Sequence, residues 1–203
     1  SIGGYHGAKL KRYQELIEQH ISKGNMAVLN MLNAKYFINQ KGQVQQNPAA
    51  LGNAWFVNNI NVVPNADAEI AALNGLDVKN TAIVDTRFSE QIIEGLDNTN
   101  ATINLAEYKP NYLKYSSSSA KEGLAIFSEI YYDKGWNSYI DGVLKAHFRA
   151  NYVLRGMVVP KGNHSIEFKF EPPTYSTGES VSLASSIILL LLLAFVSFKE
   201  LKA

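Results

Sequence analysis

Two hydrophobic rhythms and one unbroken apolar run divide the chain. Over residues 8–22, Leu10, Tyr13, Ile17 and Ile21 recur at spacings of three and four while Lys11, Glu15 and Glu18 fall elsewhere. That is the period of a helix with one buried face, and Gly24 supplies its stop. The pattern then predicts a second short helix over residues 26–33, a strand over 35–39 and a polar loop over 40–48. Residues 53–63, with Trp55, Phe56, Val57, Ile60, Val62 and Val63, read as strand. Residues 65–74 start as a helix, since Asp67 and Glu69 suit its first turn and Gly75 closes it. Thr81–Asp85 reads as a short buried strand.

After Gly95 the rhythm changes to that of strands. Residues 101–108 and 112–116 flank the turn at Lys109-Pro110-Asn111, and the four serines 116–119 read as a loop. Residues 123–131 form an apolar strand. Residues 137–140 and 143–147 flank Asp141-Gly142, a pair suited to a type I′ hairpin turn because both positions need positive φ. Residues 151–159 read as another strand. In residues 164–170, Ile166, Phe168 and Phe170 face one way and Ser165, Glu167 and Lys169 the other. Seven short strands separated by turns imply an antiparallel sandwich or jelly roll.

The third pattern is the apolar run. No charged residue occurs from Ser180 to Phe198, and residues 187–196 are wholly apolar. At 1.5 Å per residue the stretch reaches roughly the 30 Å hydrocarbon thickness of a bilayer, and a helix satisfies its own backbone groups there. Lys199 and Lys202 follow it, whereas Glu171 and Glu179 precede it. This bias places the C-terminus in the cytoplasm and residues 1–178 outside; a tail-anchored cytoplasmic domain is the competing arrangement.

The expected class is therefore α+β. A Gly-rich lead-in loop and amphipathic helix occupy 1–24, a mixed α/β subdomain 25–97 and an antiparallel β-sandwich 98–173. A linker over 174–179, a transmembrane helix over 180–198 and a cytoplasmic tail over 199–203 follow. The start Ser1-Ile2-Gly3-Gly4, with neither methionine nor a signal-peptide pattern, leads us to expect a piece from the C-terminal end of a larger integral membrane protein.

Composition narrows the chemistry. The 203 residues include no cysteine, which excludes disulfides, thiolate catalysis and cysteine metal sites in this chain. A net charge of +1 gives no field toward nucleic acid, and no basic stripe interleaves with aromatic residues, so no nucleic-acid partner is expected. His6, His20, His147 and His164 lack the spacing of a metal motif and read as lone surface histidines. No calcium-loop pattern, nucleophile elbow or catalytic triad spacing occurs. The Gly-rich segment before the first helix follows no strand and lacks phosphate-loop spacing. No metal, cofactor or catalytic residue is assigned on these grounds. Glu129 and Asp141, in neighbouring predicted strands, are a carboxylate pair of the kind sugar hydrolysis needs. However, the turn explains Asp141, and a solvent-facing strand position explains Glu129.

The aromatic cluster carries more. Tyr131, Tyr132, Trp136 and Tyr139 lie close together in sequence, near Asp133 and Asp141. Aromatic faces flanked by polar groups suit a sugar ring, so Tyr131, Tyr132, Trp136, Tyr139 and Asp141 are the candidate glycan contacts. The competing reading is that aromatic residues fill the sandwich core, Trp136 first.

Several segments are recognisable together. These are Gly3-Gly4-Tyr5-His6-Gly7-Ala8-Lys9-Leu10-Lys11-Arg12-Tyr13, Asn30-Met31-Leu32-Asn33-Ala34-Lys35-Tyr36 and Asn53-Ala54-Trp55-Phe56-Val57. Further on come Ser128-Glu129-Ile130-Tyr131-Tyr132, Gly135-Trp136, Tyr139-Ile140-Asp141-Gly142, Asn151-Tyr152-Val153-Leu154-Arg155-Gly156 and Val159-Pro160-Lys161-Gly162-Asn163-His164. With the last apolar helix in place, the chain resembles the C-terminal region of the bacterial YfhO-type polytopic membrane proteins. Such proteins have many membrane helices before this region and resemble lipid-linked sugar transferases of the GT-C type. Some Gram-positive relatives are implicated in glycosylating cell-envelope polymers. The catalytic acid of that architecture belongs to an N-terminal external loop.

The resemblance thus implies a non-catalytic extracytoplasmic region of a glycosyltransferase-like protein of the bacterial cytoplasmic membrane. Its partners would be the membrane, upstream transmembrane helices of the same protein, and envelope glycan. The alternatives are a carbohydrate- or protein-binding module on a membrane stalk, or a surface-anchored hydrolase.

Overall fold

The computed structural model describes residue 2, residues 10–93 and residues 95–202. The Gly-rich lead-in and His6 lie outside the described residues. The helices are α1 (Lys11–Leu16), α2 (Met26–Met31), α3 (Ala66–Ala71) and α4 (Pro173–Lys202). The strands are β1 (Tyr36–Ile38), β2 (Val44–Gln46), β3 (Ala54–Val57), β4 (Asn59–Val63), β5 (Thr81–Asp85), β6 (Thr102–Lys109) and β7 (Tyr112–Ser119). They continue with β8 (Gly123–Ile130), β9 (Trp136–Ile140), β10 (Val143–Leu144), β11 (Phe148–Ala150), β12 (Leu154–Val159) and β13 (Gly162–Phe170). The α+β class, the antiparallel sheets and the C-terminal apolar helix are as expected.

Two antiparallel sheets form the sandwich, one in the order β10-β9-β13-β7-β6 and the other β11-β12-β8-β3. The second is a middle layer. Ala125, Phe127, Met157 and Val159 on one face pack against Ile103, Leu113, Tyr115, Ile166 and Phe168 of the first sheet. On the opposite face, Trp55, Val57, Leu124, Ile126 and Leu154 pack against Leu16, Val28, Met31, Ile70 and Leu73 of the helical side. From Gly123 to Phe127 β8 is apolar without alternation because both its faces are buried there. In the sandwich core the rings of Tyr115, Phe127 and Phe168 meet edge to face, with Phe127 4.9 Å from each of the other two. Each such pair adds about 0.5–1.5 kcal/mol beyond area burial.

On the helical side α1 passes into a π-helical turn over Ile17–Ile21 that buries His20 with Leu16. Asn25 caps α2, its side-chain oxygen accepting from the Ala27 and Val28 amides, and Asn65 caps α3 through the Ala68 amide. β4 and β5 pair in parallel around α3.

Several expectations change. The loop expected over 40–48 contains β2, which pairs with β1. The serines 116–119 continue β7 and pair with Gly162–Ser165 of β13. Residues 151–153 are a turn and not strand, with Asn151 at φ 48° and Tyr152 at φ 71°. Asn151 nonetheless pairs with β5: its amide donates to the Ile83 carbonyl and its side-chain oxygen accepts from the Ile83 amide, both at 2.8 Å. Residues 174–179, read as a linker, are the first turns of α4. α4 carries a 27-residue candidate span, Pro173–Lys199, with none of its most apolar stretch buried. Ser185 and Ser186 return their hydroxyls to the carbonyls of Val181 and Ser182 at 2.8 and 2.9 Å, so neither presents an unsatisfied donor to lipid.

Candidate functional site

The five candidate residues fall into three environments. Tyr131 sits half-buried behind the middle sheet, its ring 6.2 Å from Phe88 and 5.7 Å from His147. Tyr132, next to it, is exposed. Trp136 opens β9 with its ring facing the sandwich interior, 4.2 Å from the Arg155 guanidinium and 5.4 Å from Phe170. Tyr139 and Asp141 lie on the outer side of the five-stranded sheet. Trp136, Ser138 and Ile140 alternate with Asn137, Tyr139 and Asp141 along β9, so one stretch of sequence serves two faces.

The outer face is ordered by register. Glu167 of β13 stands between Lys114 of β7 and Tyr139 of β9, and Lys169 stands between Tyr112 and Asn137. The Tyr112 hydroxyl donates to Glu167 at 2.9 Å, and Lys169 lies 2.8 Å from the other oxygen of that carboxylate. Tyr139 and Asn137 donate to Glu171 at 2.7 and 2.9 Å, and the Lys169 ammonium sits 4.8 Å over the Tyr139 ring. The result is two tyrosine rings with carboxylate, amide and ammonium groups between them.

Sequence reading missed Tyr112, Asn137, Glu167 and Glu171. Tyr112 and Glu167 belong to strands other than β9 and Glu171 follows β13, so only the pairing register brings them beside Tyr139. The polar half of the β13 alternation was the available signal.

Electrostatics limits what this face does. The Lys169 hydrogen bond holds Glu167 below the usual carboxylate range, and the Asn137 and Tyr139 donors do the same for Glu171. The His164 hydrogen bond lowers Asp141. All three are therefore ionised acceptors at neutral pH, and none is poised as a general acid. Burial raises Glu69 and Glu129. However, Glu69 is fully buried, and Glu129 is half-buried beside Arg155. Glu129 and Asp141 belong to different sheets, so the carboxylate pair is not formed.

The histidines also differ from the surface reading. His20 is buried; its Nε2 donates to the Ile70 carbonyl at 2.9 Å while Nδ1 accepts from Asn25 at 2.9 Å, and burial lowers its pKa. His147 is enclosed by Tyr131 and Phe168 and pulled down to about 4 by burial and by Arg155. Only His164 stands at the surface among the described histidines. No group of three His, Asp or Glu side chains among the described residues could hold a metal ion.

Two concavities adjoin the sandwich. A groove of about 920 Å³ runs along β3 toward β6, but its amides are largely engaged with one another: Asn58 with Asn80, Asn80 with Asp77, and Asn98 with the Val57 carbonyl. A cleft of about 390 Å³ opens between the start of α1 and the β8–β9 loop, and it includes Tyr131 and Tyr132. Below it lies a buried ionic knot. Glu69 is 2.9 Å from Arg12 and 3.6 Å from Arg149, and Arg149 is 3.7 Å from Asp85.

A sheet-rich domain with an exposed tyrosine–carboxylate face, attached to one fully exposed apolar helix, defines a membrane-associated domain. The family model for bacterial membrane protein YfhO matches residues 20–182. The chain belongs to that family. No curated protein and no solved structure matches it.

Proposed function

We propose that this chain is the non-catalytic extracytoplasmic C-terminal region of a GT-C-like membrane glycosyltransferase acting on cell-envelope glycans. Membership of the YfhO family, together with an apolar helix long enough to span a bilayer, carries the reading. The excess of Lys199 and Lys202 beyond the span supports a cytoplasmic C-terminus and a globular part outside. Within that part, Tyr139 and Asp141 lie on the face that contacts the acceptor glycan, and Tyr112, Glu167 and Glu171 extend it. Trp136 shapes the face from beneath by fixing Arg155, and Tyr131 and Tyr132 extend the aromatic surface toward the cleft. Ionised carboxylates between tyrosine rings suit sugar hydroxyls and C–H faces, and their low pKa values favour binding over proton transfer.

The test uses the intact membrane protein and transfer of labelled sugar to an envelope polymer. The paired change Y139A/E171Q is expected to raise KM for the polymer about tenfold while leaving kcat near wild type, the pattern of a lost binding contact. An unchanged KM would remove the glycan face. Loss of donor turnover in the absence of acceptor would place catalytic groups in this region and overturn the non-catalytic assignment.

A further inference from the structure

The 390 Å³ cleft adjoins the strand exit that leads into α4. Its outer wall is the β8–β9 loop. The Glu171 amide donates to the Gly135 carbonyl at 2.6 Å, and a Cβ at Gly135 would fall 2.9 Å from Pro172. Loop and strand exit are thus locked together one residue before α4 begins. From Pro173 to Ser180 the helix rises about 10 Å, and the uncharged stretch begins there. The headgroup layer of one leaflet fills roughly 5–8 Å of that distance, within reach of a lysine or tyrosine side chain on the loop.

The groups at the cleft mouth match that layer. Leu10 and Tyr132 are 41% and 37% exposed, with no role in either core. Lys11 is 90% exposed at its side chain, and Lys134 is exposed with no ion pair among the described residues. Deeper in the cleft, Arg12 and Arg149 are neutralised from behind by Glu69 and Asp85, so attraction for an outside anion falls to Lys134, which has Asp133 beside it, and to Lys11, whose exposed ammonium also lies 3.7 Å from Glu15. Apolar and aromatic side chains flanked by lysines are the composition of membrane-interface anchors.

We propose that this end of the domain rests in the headgroup layer of the bilayer that α4 enters. Leu10 and Tyr132 dip toward the acyl boundary, and Lys11 and Lys134 lie on the phosphates of anionic lipids. The occupant is the lipid surface itself, identified by its continuity with the span and by the exposed apolar, aromatic and lysine side chains at the cleft mouth. This docking fixes the height and tilt of the domain above the membrane. It does not depend on the glycan reading, since a domain that binds no sugar would still dock.

The full chain in lipid nanodiscs tests it by hydrogen exchange. Discs of phosphatidylcholine alone are compared with discs containing phosphatidylcholine and phosphatidylglycerol at about seven to three. Each lysine near an anionic surface is worth about fivefold in binding. Exchange of amides 131–135 is therefore expected to slow about tenfold or more with phosphatidylglycerol, and K11E/K134E is expected to abolish the difference. Amides 124–127 report that the variant is folded, and the wild-type comparison between discs decides the matter if it is not. Equal exchange in both discs overturns the proposal. So does a lipid difference that survives in K11E/K134E, or protection reproduced in phosphatidylcholine discs by inorganic phosphate, which would make the cleft a site for a free anion.

Discussion

Glu69 accepts a hydrogen bond from the backbone amide of Tyr152 at 3.0 Å, across 83 positions of sequence. The bond fixes Tyr152 in a left-handed conformation that a bulky side chain otherwise avoids, and it ties α3 to the turn between β11 and β12. The other oxygen of Glu69 takes Arg12 at 2.9 Å, and Arg12 in turn lies 4.5 Å over the Tyr152 ring. Tyr152 also donates its hydroxyl to Glu15. The helical side and the sandwich are therefore joined through polar contacts as well as through the shared face of the middle sheet.

Removing one partner of a buried ion pair strands the other, at a cost of about 3–5 kcal/mol. E69A is expected to lose stability of that order, read by urea unfolding through Trp55, whose indole donates to Val78 in the adjoining core. E69Q keeps an acceptor for the Tyr152 amide and is expected to lose less. A loss below about 1 kcal/mol in E69A would show that water or rearranged side chains replace the carboxylate.

His147 links stability to pH. Its Nδ1 donates to the Ser138 oxygen at 2.8 Å while that hydroxyl donates to the Lys145 carbonyl, and its Nε2 has no hydrogen-bond partner among the described residues. The ring is thus neutral in the fold, with a pKa near 4 against an ordinary 6.5. In this window the unfolded chain binds the extra proton, so stability is complete above pH 6.5 and declines as pH falls toward 4. The decline is about 3 kcal/mol for this one residue. In H147F the slope of unfolding free energy between pH 4 and 6.5 should lessen by about that amount. A slope identical to wild type would place the titration elsewhere.

How much of this was legible in the sequence depended on whether the two faces of an element carried different residues. β13 was readable because Ile166, Phe168 and Phe170 alternate with Ser165, Glu167 and Lys169. The run from Ser116 to Ser119 was not, because the buried and exposed positions of that part of β7 carry the same side chain; Ser117 is 5% exposed. Among the candidate site residues, Tyr139 and Asp141 could be found from the hairpin turn. Tyr112 and Glu167 reach them through strand pairing, and Glu171, just past β13, through a side-chain hydrogen bond across 32 positions, none of which a local pattern encodes. The burial of Arg149 was invisible for the same reason: its counter-charges, Glu69 and Asp85, sit on elements far earlier in the chain.

The β9–β10 turn has the opposite pH behaviour from His147. His164 donates through Nδ1 to Asp141 at 2.6 Å and through Nε2 to the Lys161 carbonyl at 3.0 Å, an arrangement satisfied only by the charged ring. The Asp141 hydrogen bond raises His164, and the His164 hydrogen bond lowers Asp141. The contribution of His164 is complete below its ordinary 6.5 and is lost as pH rises through its raised value. That of Asp141 is complete above its ordinary 3.8 and is lost as pH falls through its depressed value. The pair is therefore fully formed between 3.8 and 6.5. The His164 ring, followed by NMR, should titrate above 6.5 in wild type and move down toward it in D141N. A midpoint unmoved by D141N would show that the Lys161 carbonyl alone sustains the charge.

Gly123 shows how tightly the start of β8 meets the segment before β6. A Cβ there would fall 2.0 Å from the Asn98 side-chain oxygen and 3.1 Å from the Phe56 ring. Asn98 cannot swing away freely. Its side-chain amide donates to the Val57 carbonyl at the end of β3, and its backbone amide donates to Asn58 at 3.1 Å. G123A is thus expected to destabilise by about 1–3 kcal/mol through overpacking. Truncating the obstructing side chain should relieve the clash, so N98A/G123A should lose less than the sum of the two single changes. Urea unfolding of the four proteins measures the coupling directly. Strict additivity would mean that the strand edge moves to admit the methyl group, and that Asn98 acts on β3 alone.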